Sequence, residues 1–148
     1  MSARHHPHRW PSDLTLFAVL AALWSVTLFV RALSPLPLGY LGDPMQAVMA
    51  GIKFRGDEAR IVTGVHAAVA ALFAGGMLAR RRWGVVLALF YLVEVVLSHL
   101  VFILAYLDVR SESVYVRMAA FEGPTLVLIL LYLWIRSRDL LFGSGHRA

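Results

Sequence analysis

Four long apolar segments restrict this chain more than any other feature of its sequence. They lie at residues 14–33, 61–79, 84–107 and 119–135. A membrane-spanning helix needs about 20 mostly apolar residues, because each residue adds about 1.5 Å to its length. Of all residues, 59% are hydrophobic, against roughly 45–50% in soluble domains. The sequence therefore predicts an all-α fold, an integral membrane four-helix bundle that forms a single domain over residues 1–148.

Basic residues predict the orientation of these spans. Arg80, Arg81 and Arg82 are adjacent in the short connection between the second and third spans. Arginines in such short loops remain in the cytoplasm, which places both termini there as well. Lys53 is the only lysine among 14 basic residues. This arginine-rich usage suggests a GC-rich bacterial genome, and we expect the chain in a bacterial inner membrane.

The first outer loop contains a second helical pattern at residues 43–56, DPMQAVMAGIKFRG. Asp43 is a suitable N-cap, Pro44 fits the first turn of a helix, and Gly56 fits its end. One apolar stripe follows at helical spacing, formed by Met45, Val48, Met49 and Ile52. We expect a short helix that lies on the membrane interface, with an irregular loop as the alternative.

Polar side chains interrupt the spans at similar depths. At 1.5 Å per residue, two histidines and one acid fall in the outer half of the bundle, with Glu94 beneath them. These and two neighbouring hydroxyl residues make a candidate buried polar layer: His66, Glu94, His99, Glu122, Tyr91 and Ser98. A charge at the bilayer centre costs about 2.5–3.5 kcal/mol, so such residues face the protein interior and pair.

This polar layer leaves several interpretations open. His99 is expected to pair with Glu122 or His66, and Glu94 to be uncharged, in a purely structural arrangement. Alternatively, the same residues form the polar floor of a binding site for a lipid-like ligand. His66 and His99, on adjacent spans, are candidate axial ligands of a b-type haem. We expect no other metal, because the chain has no cysteine and lacks the Glu-x-x-His pairs of di-iron bundles.

Two further features concern the packing of the helices. Ala67, Ala71 and Gly75 recur every four residues in the second span, as in closely packed membrane helices, and predict a contact within the bundle or with a partner. Gly123-Pro124 lies near the start of the fourth span. A helix that began at Pro124 would be too short to cross a membrane, so we expect it to begin earlier and to kink there.

Three short motifs resemble those of a known family. Ala59-Arg60 opens the second span, His99 lies late in the third, and Gly123-Pro124 opens the fourth. In these features the chain resembles the small four-span scaffold proteins of ergosterol biosynthesis, which tether sterol demethylation enzymes. It departs from that family in reading Ala-Arg-Ile-Val where the family has Ala-Arg-Thr-Phe, and in lacking an acid shortly after the histidine. The Arg80–Trp83 turn and Glu122 are also similar to small bacterial four-span proteins of unknown function.

These observations favour a non-enzymatic function. No complete catalytic set is visible: Ser25 and Ser98 have no triad partners. There is no basic face with interleaved aromatic residues, so we expect no nucleic-acid partner. We expect a small membrane subunit or scaffold that contacts membrane lipids and packs against other membrane proteins or further copies of itself. The alternative is a membrane-embedded binder of a lipid-like ligand or haem through the polar layer.

Overall fold

The computed structural model describes residues 10–34, 45–105 and 118–142. In these ranges the chain forms four α-helices and a two-stranded hairpin. In chain order they are α1 (Ser12–Leu33), β1 (Gln46–Met49), β2 (Ile52–Arg55), α2 (Gly56–Leu78), α3 (Arg82–Ala105) and α4 (Gly123–Phe142). Each of the four helical regions is long and apolar enough to cross a membrane. This confirms the four predicted helices and suggests an integral membrane protein.

The helices extend beyond the apolar segments that predicted them. α2 begins at Gly56 rather than near residue 61, because Asp57 and Glu58 suit the positive end of the helix dipole. α4 continues to Phe142, past the expected end at residue 135, and its Leu140 and Leu141 pack against the core. The predicted end of the third span, residue 107, lies outside the described residues. Hydrophobicity thus predicts the part of each helix that is long enough to cross a membrane. It does not predict the residues at which the helix begins and ends.

The buried side chains of the bundle recur at alternating intervals of three and four residues. On α1 the buried residues are Leu14, Ala18, Ala21, Ser25 and Leu28. On α3 they include Val85, Ala88, Leu92, Val95, His99 and Phe102. This is the spacing of left-handed helix bundles, in which side chains of one helix insert between those of the next. The helices pack in chain order, α1 on α2, α2 on α3 and α3 on α4.

The bundle is closed by polar contacts between α1 and α4. Asp13, at the start of α1, accepts a hydrogen bond of 2.9 Å from the Tyr132 hydroxyl and another from the Arg136 guanidinium. Between α1 and α2, the buried Ser25 hydroxyl donates to the Ala67 carbonyl at 2.8 Å. The contacts of Asp13 connect the two terminal helices, and that of Ser25 connects α1 to α2.

The α2–α3 turn is a compact helix ending. Arg80 adopts a left-handed conformation (φ 55°). The Arg81 amide donates to the Gly76 carbonyl at 2.8 Å, and the Arg80 amide to the Met77 carbonyl at 2.9 Å. This pair of bonds is a Schellman motif, which satisfies carbonyls left over at the end of a helix. The turn brings Gly76 of α2 next to Gly84 of α3.

The predicted interfacial helix is wrong over Gln46–Arg55, which forms an antiparallel hairpin instead. Met49 pairs with Ile52, so Ala50 and Gly51 form a two-residue turn, and both have positive φ (50° and 76°). Such a turn matches the twist of a hairpin, and a helix cannot continue through two left-handed residues. Asp43 and Pro44, the expected start of the helix, lie outside the described residues.

The fourth helical region begins before its proline, as expected. A π-helical turn at Met118–Glu122 leads directly into α4, in which Pro124 is the second residue. Pro124 has no amide hydrogen to donate to the preceding turn. The wider π turn accommodates this missing bond and brings Glu122 to the edge of α3.

Candidate functional site

The hairpin packs against α2 and α3 and completes a polar layer between them. Met45 and Val48 are buried, and the Gly56 amide donates to the Met45 carbonyl at 3.2 Å, which closes the base of the hairpin. Open sheet edges are stable at membrane depth only where protein covers them. Both strands of this hairpin contact α2 and α3.

Glu94 and Ser98 bind the tip of the hairpin. A two-residue turn leaves the amide groups of its two central residues without partners in the sheet. Glu94 Oε1 accepts from the Ala50 amide at 3.4 Å, a long hydrogen bond, and Ser98 Oγ accepts from the Gly51 amide at 3.1 Å. The Gly51 amide is buried, and an unpaired buried amide costs about 1–3 kcal/mol, so Ser98 helps to hold the turn against α3. The contact between Ala50 and Glu94 is exposed.

Gly51 allows the turn to lie directly on α3. The residue is buried, and a Cβ at this position would overlap the side chain of Val101. Positive φ and close approach both favour glycine here.

His99 connects α3 to the turn before α4. Its Nδ1 lies 2.8 Å from the Val95 carbonyl and its Nε2 3.3 Å from Glu122 Oε2. A carbonyl only accepts hydrogen bonds, so Nδ1 carries a hydrogen. The contact with Glu122 then holds one further proton, on Nε2 or on the carboxyl group. With either placement, the pair as a whole is electrically neutral.

His66 is separate from the His99–Glu122 pair and binds Tyr91. His66 Nδ1 lies 3.0 Å from the Tyr91 hydroxyl, and the two rings meet edge to face with centroids 5.6 Å apart. Tyr91 also packs against Phe73 of α2, at a centroid distance of 5.5 Å. Through its contacts with His66 and Phe73, Tyr91 joins the middle of α3 to α2.

The structure thus brings the six predicted polar residues into three sets of contacts. Glu94 and Ser98 contact the hairpin, His66 contacts Tyr91, and His99 contacts Glu122. Both ring nitrogens of His99 have protein partners, so coordination of a haem through Nε2 would require loss of the contact with Glu122. Among the described residues, no group of three or more histidine, cysteine, aspartate or glutamate side chains is placed to hold a metal ion.

The small residues predicted to pack lie on two different faces of α2. Ala67 is buried and contacts α1 through its carbonyl. Ala71 and Gly75 are exposed, and nothing lies within 4 Å of a Cβ added to Gly75. Ala70 and Ala74, which were not predicted, lie in the same buried core cluster as Leu14, Ala18 and Ala21 of α1.

Two sets of contacts were not predicted from the sequence. The amides of Ala50 and Gly51, which meet the acid of the third span, belong to a segment expected to be helical. The only local turn signal was Gly51 followed by the alternating residues Ile-Lys-Phe-Arg. The Asp13–Arg136 ion pair was also missed, although the topology alone brings the start of α1 and the end of α4 to the same end of the bundle.

The fold and the polar layer define a helical protein with four helices suited to a membrane and a hairpin docked between two of them. No family of known proteins, no curated protein and no solved structure matches this chain.

The role of Glu94 as a hydrogen-bond acceptor leads to a test. Glu94→Gln keeps an acceptor for the Ala50 amide and is expected to unfold near the wild-type temperature in detergent. Glu94→Leu removes the acceptor and is expected to lower the free energy of unfolding by about 0.5–1.5 kcal/mol, the net contribution of an ordinary hydrogen bond, because the Ala50 amide is exposed. Ser98→Ala, which removes the acceptor for Gly51, serves as a companion variant. If glutamine were as damaging as leucine, the ionised form of Glu94 would be the important one.

Proposed function

We propose that this chain is a small, non-enzymatic integral membrane subunit or scaffold that packs against other membrane helices. The observation that carries the proposal is the exposed small-residue face of α2, defined by Ala68, Ala71 and Gly75. Small residues let helix backbones approach closely, and this close packing drives association where lipid surrounds both helices. The Gly75 position in particular is open to a neighbouring helix.

The internal pairing of the polar layer also supports a scaffold rather than an enzyme or a ligand-binding protein. The polar side chains that sequence analysis singled out contact the hairpin, a neighbouring helix or each other. The alternative function, binding of a lipid-like ligand or a b-type haem at this layer, would have to displace those contacts. The resemblance to four-span scaffold families suggests the same general role, with other membrane proteins or a second copy as partner.

The small-residue face provides the test of this function. Ala71→Leu with Gly75→Leu should abolish capture of the partner, or of a tagged second copy, from native membranes solubilised in mild detergent. Thr27→Leu enlarges an exposed residue on α1 and should leave capture intact. Partners retained by the double variant at wild-type levels would contradict the proposal.

We further propose that both termini lie in the cytoplasm of a bacterial cell, as the Arg80–Arg82 turn suggests. Ser12 and Glu58 are exposed at opposite ends of the bundle, and the chain contains no cysteine. Single cysteines at these two positions should react with an impermeant thiol reagent from opposite sides of the membrane. For the external cysteine, Glu58 is a better position than the nearby Gly56, because Gly56 has positive φ. Labelling of both positions from one side would contradict this topology.

A further inference from the structure

A second feature, remote from the polar layer, is an apolar groove between α3 and α4. It lies in the half of the bundle that carries the Arg80–Arg82 turn and has a volume of about 550 Å³. Its walls expose only apolar atoms, from side chains that include Val86, Val93, Leu131, Trp134 and Leu141. The groove opens to the side of the bundle, where lipid would lie.

Two arginines each lie one helical turn from a residue that lines this groove. Arg82 precedes Val86 by four residues, and Arg138 follows Trp134 by four. Residues four apart lie on the same face of a helix, so each arginine extends a face that lines the groove. The His99–Glu122 contact fixes how the two antiparallel helices align. Arg82 lies 17 residues before His99 on α3, and Arg138 lies 16 residues after Glu122 on α4. The two arginines therefore fall at nearly the same level along the bundle.

Both arginines are available to a ligand. Each is exposed, and neither has an ion-pair partner among the residues that the structure describes. Arg136, by contrast, is bound to Asp13. An apolar groove with two exposed arginines one helical turn from its lining matches the chemistry of an anion joined to a hydrocarbon chain.

We propose that the groove binds an acyl chain of an anionic phospholipid, with the phosphate held between Arg82 and Arg138. Guanidinium groups bind phosphate oxygens through paired hydrogen bonds, and tryptophans such as Trp134 favour the level of the headgroups. The inference is independent of the scaffold function, since the groove and its two arginines belong neither to the small-residue face of α2 nor to the polar layer.

The dimensions of the groove favour a lipid chain over a partner helix. From Val86 to Val93 the groove follows roughly 10 Å of α3, at 1.5 Å per residue. On α4 it follows roughly 15 Å, from Leu131 to Leu141. Its volume of about 550 Å³ then corresponds to a cross-section of roughly 35–55 Å². A helix about 10 Å across with its side chains needs roughly 80 Å². A docked helix would also need acidic groups to pair with both arginines.

Native mass spectrometry of the full chain in mild detergent tests the proposal. Phosphatidylglycerol is expected to remain bound at energies that remove phosphatidylcholine with the same acyl chains. Arg82→Gln and Arg138→Gln should each weaken phosphatidylglycerol binding by roughly fivefold, the effect expected of one arginine at an anionic membrane surface. Arg81→Gln changes the net charge equally at the neighbouring position and should leave binding unchanged.

A variant of the groove itself separates chain binding from simple charge attraction. Leu131→Trp enlarges a half-exposed residue of the groove wall and should reduce binding of both lipids while the helices stay folded. Brominated phosphatidylglycerol should quench tryptophan fluorescence in the wild-type chain more than in Trp134→Phe. Inorganic phosphate should not displace the lipid.

Any of four results would overturn the proposal. These are equal retention of the two lipids, an Arg81→Gln effect as large as that of Arg82→Gln, undiminished lipid binding by Leu131→Trp, and displacement by phosphate. Efficient disulfide formation between two copies of Val86→Cys in lipid-saturated detergent would also do so, because it would place a second copy in the groove.

Discussion

Alanine at Gly76 is expected to destabilise the chain strongly, whereas alanine at the adjacent Gly75 should be neutral or slightly stabilising. A Cβ at Gly76 would lie 2.8 Å from the Gly84 Cα and 2.7 Å from the Trp83 ring. The first of these is a backbone atom, so α2 and α3 would have to separate. Overpacking of this kind costs roughly 3 kcal/mol, the upper end of the usual range.

Gly75 provides the matched control, one residue away on the same helix. An added Cβ there meets nothing within 4 Å. Replacing glycine by alanine inside a helix favours folding by roughly 0.5–1 kcal/mol. Thermal unfolding of both variants in the same detergent, followed by circular dichroism, gives the comparison. Equal unfolding temperatures would show that the contact between Gly76 and Gly84 does not stabilise the bundle.

Alanine at Gly51 is expected to produce the second large effect, because two costs combine at this position. The residue has φ of 76°, and an added Cβ would overlap Val101 of α3. A left-handed conformation costs a residue with a Cβ roughly 1–2 kcal/mol. The overlap with a branched side chain adds about 1–3 kcal/mol. The hairpin should therefore detach from α3, or the whole chain should lose stability.

Gly56 separates these two costs. It also has positive φ (58°), but nothing lies within 4 Å of an added Cβ. Gly56→Ala should therefore show the conformational cost alone, and Gly51→Ala should exceed it. Protease sensitivity of residues 45–55 reports detachment of the hairpin, and thermal unfolding reports overall stability. A Gly56→Ala variant as damaged as Gly51→Ala would indicate that contact with Val101 contributes little.

The helices could be predicted from the sequence because long apolar segments permit few other structures in a membrane. The polar layer could be predicted in part for a related reason. An acid or histidine in an apolar segment needs a protein neighbour, which identified Glu94 and His99 as inward-facing. Their partners could not be identified, since a helix position restricts the direction of a side chain but does not specify which group lies opposite.

The hairpin could not be predicted from local signals alone. Asp43, Pro44 and a stripe of apolar residues together favoured a helix, while one glycine favoured a turn. The decisive contacts lie far along the chain, where Glu94 and Ser98 accept the two turn amides. The approach of Gly76 to Gly84 was missed for a similar reason. Both residues lie near the ends of apolar segments, where glycine is equally compatible with an ordinary loop.

The docking of the hairpin has a consequence for the order in which the chain assembles. The hairpin leaves the ribosome before α3, although its acceptors Glu94 and Ser98 belong to α3. At roughly 5–20 residues per second, the about 50 residues between Gly51 and Val101 take several seconds to synthesise. Throughout that interval the two turn amides lack the acceptors that they have in the complete structure. The hairpin can therefore reach its final position only after α3 has been synthesised, whereas α1 and α2 are both complete before that point.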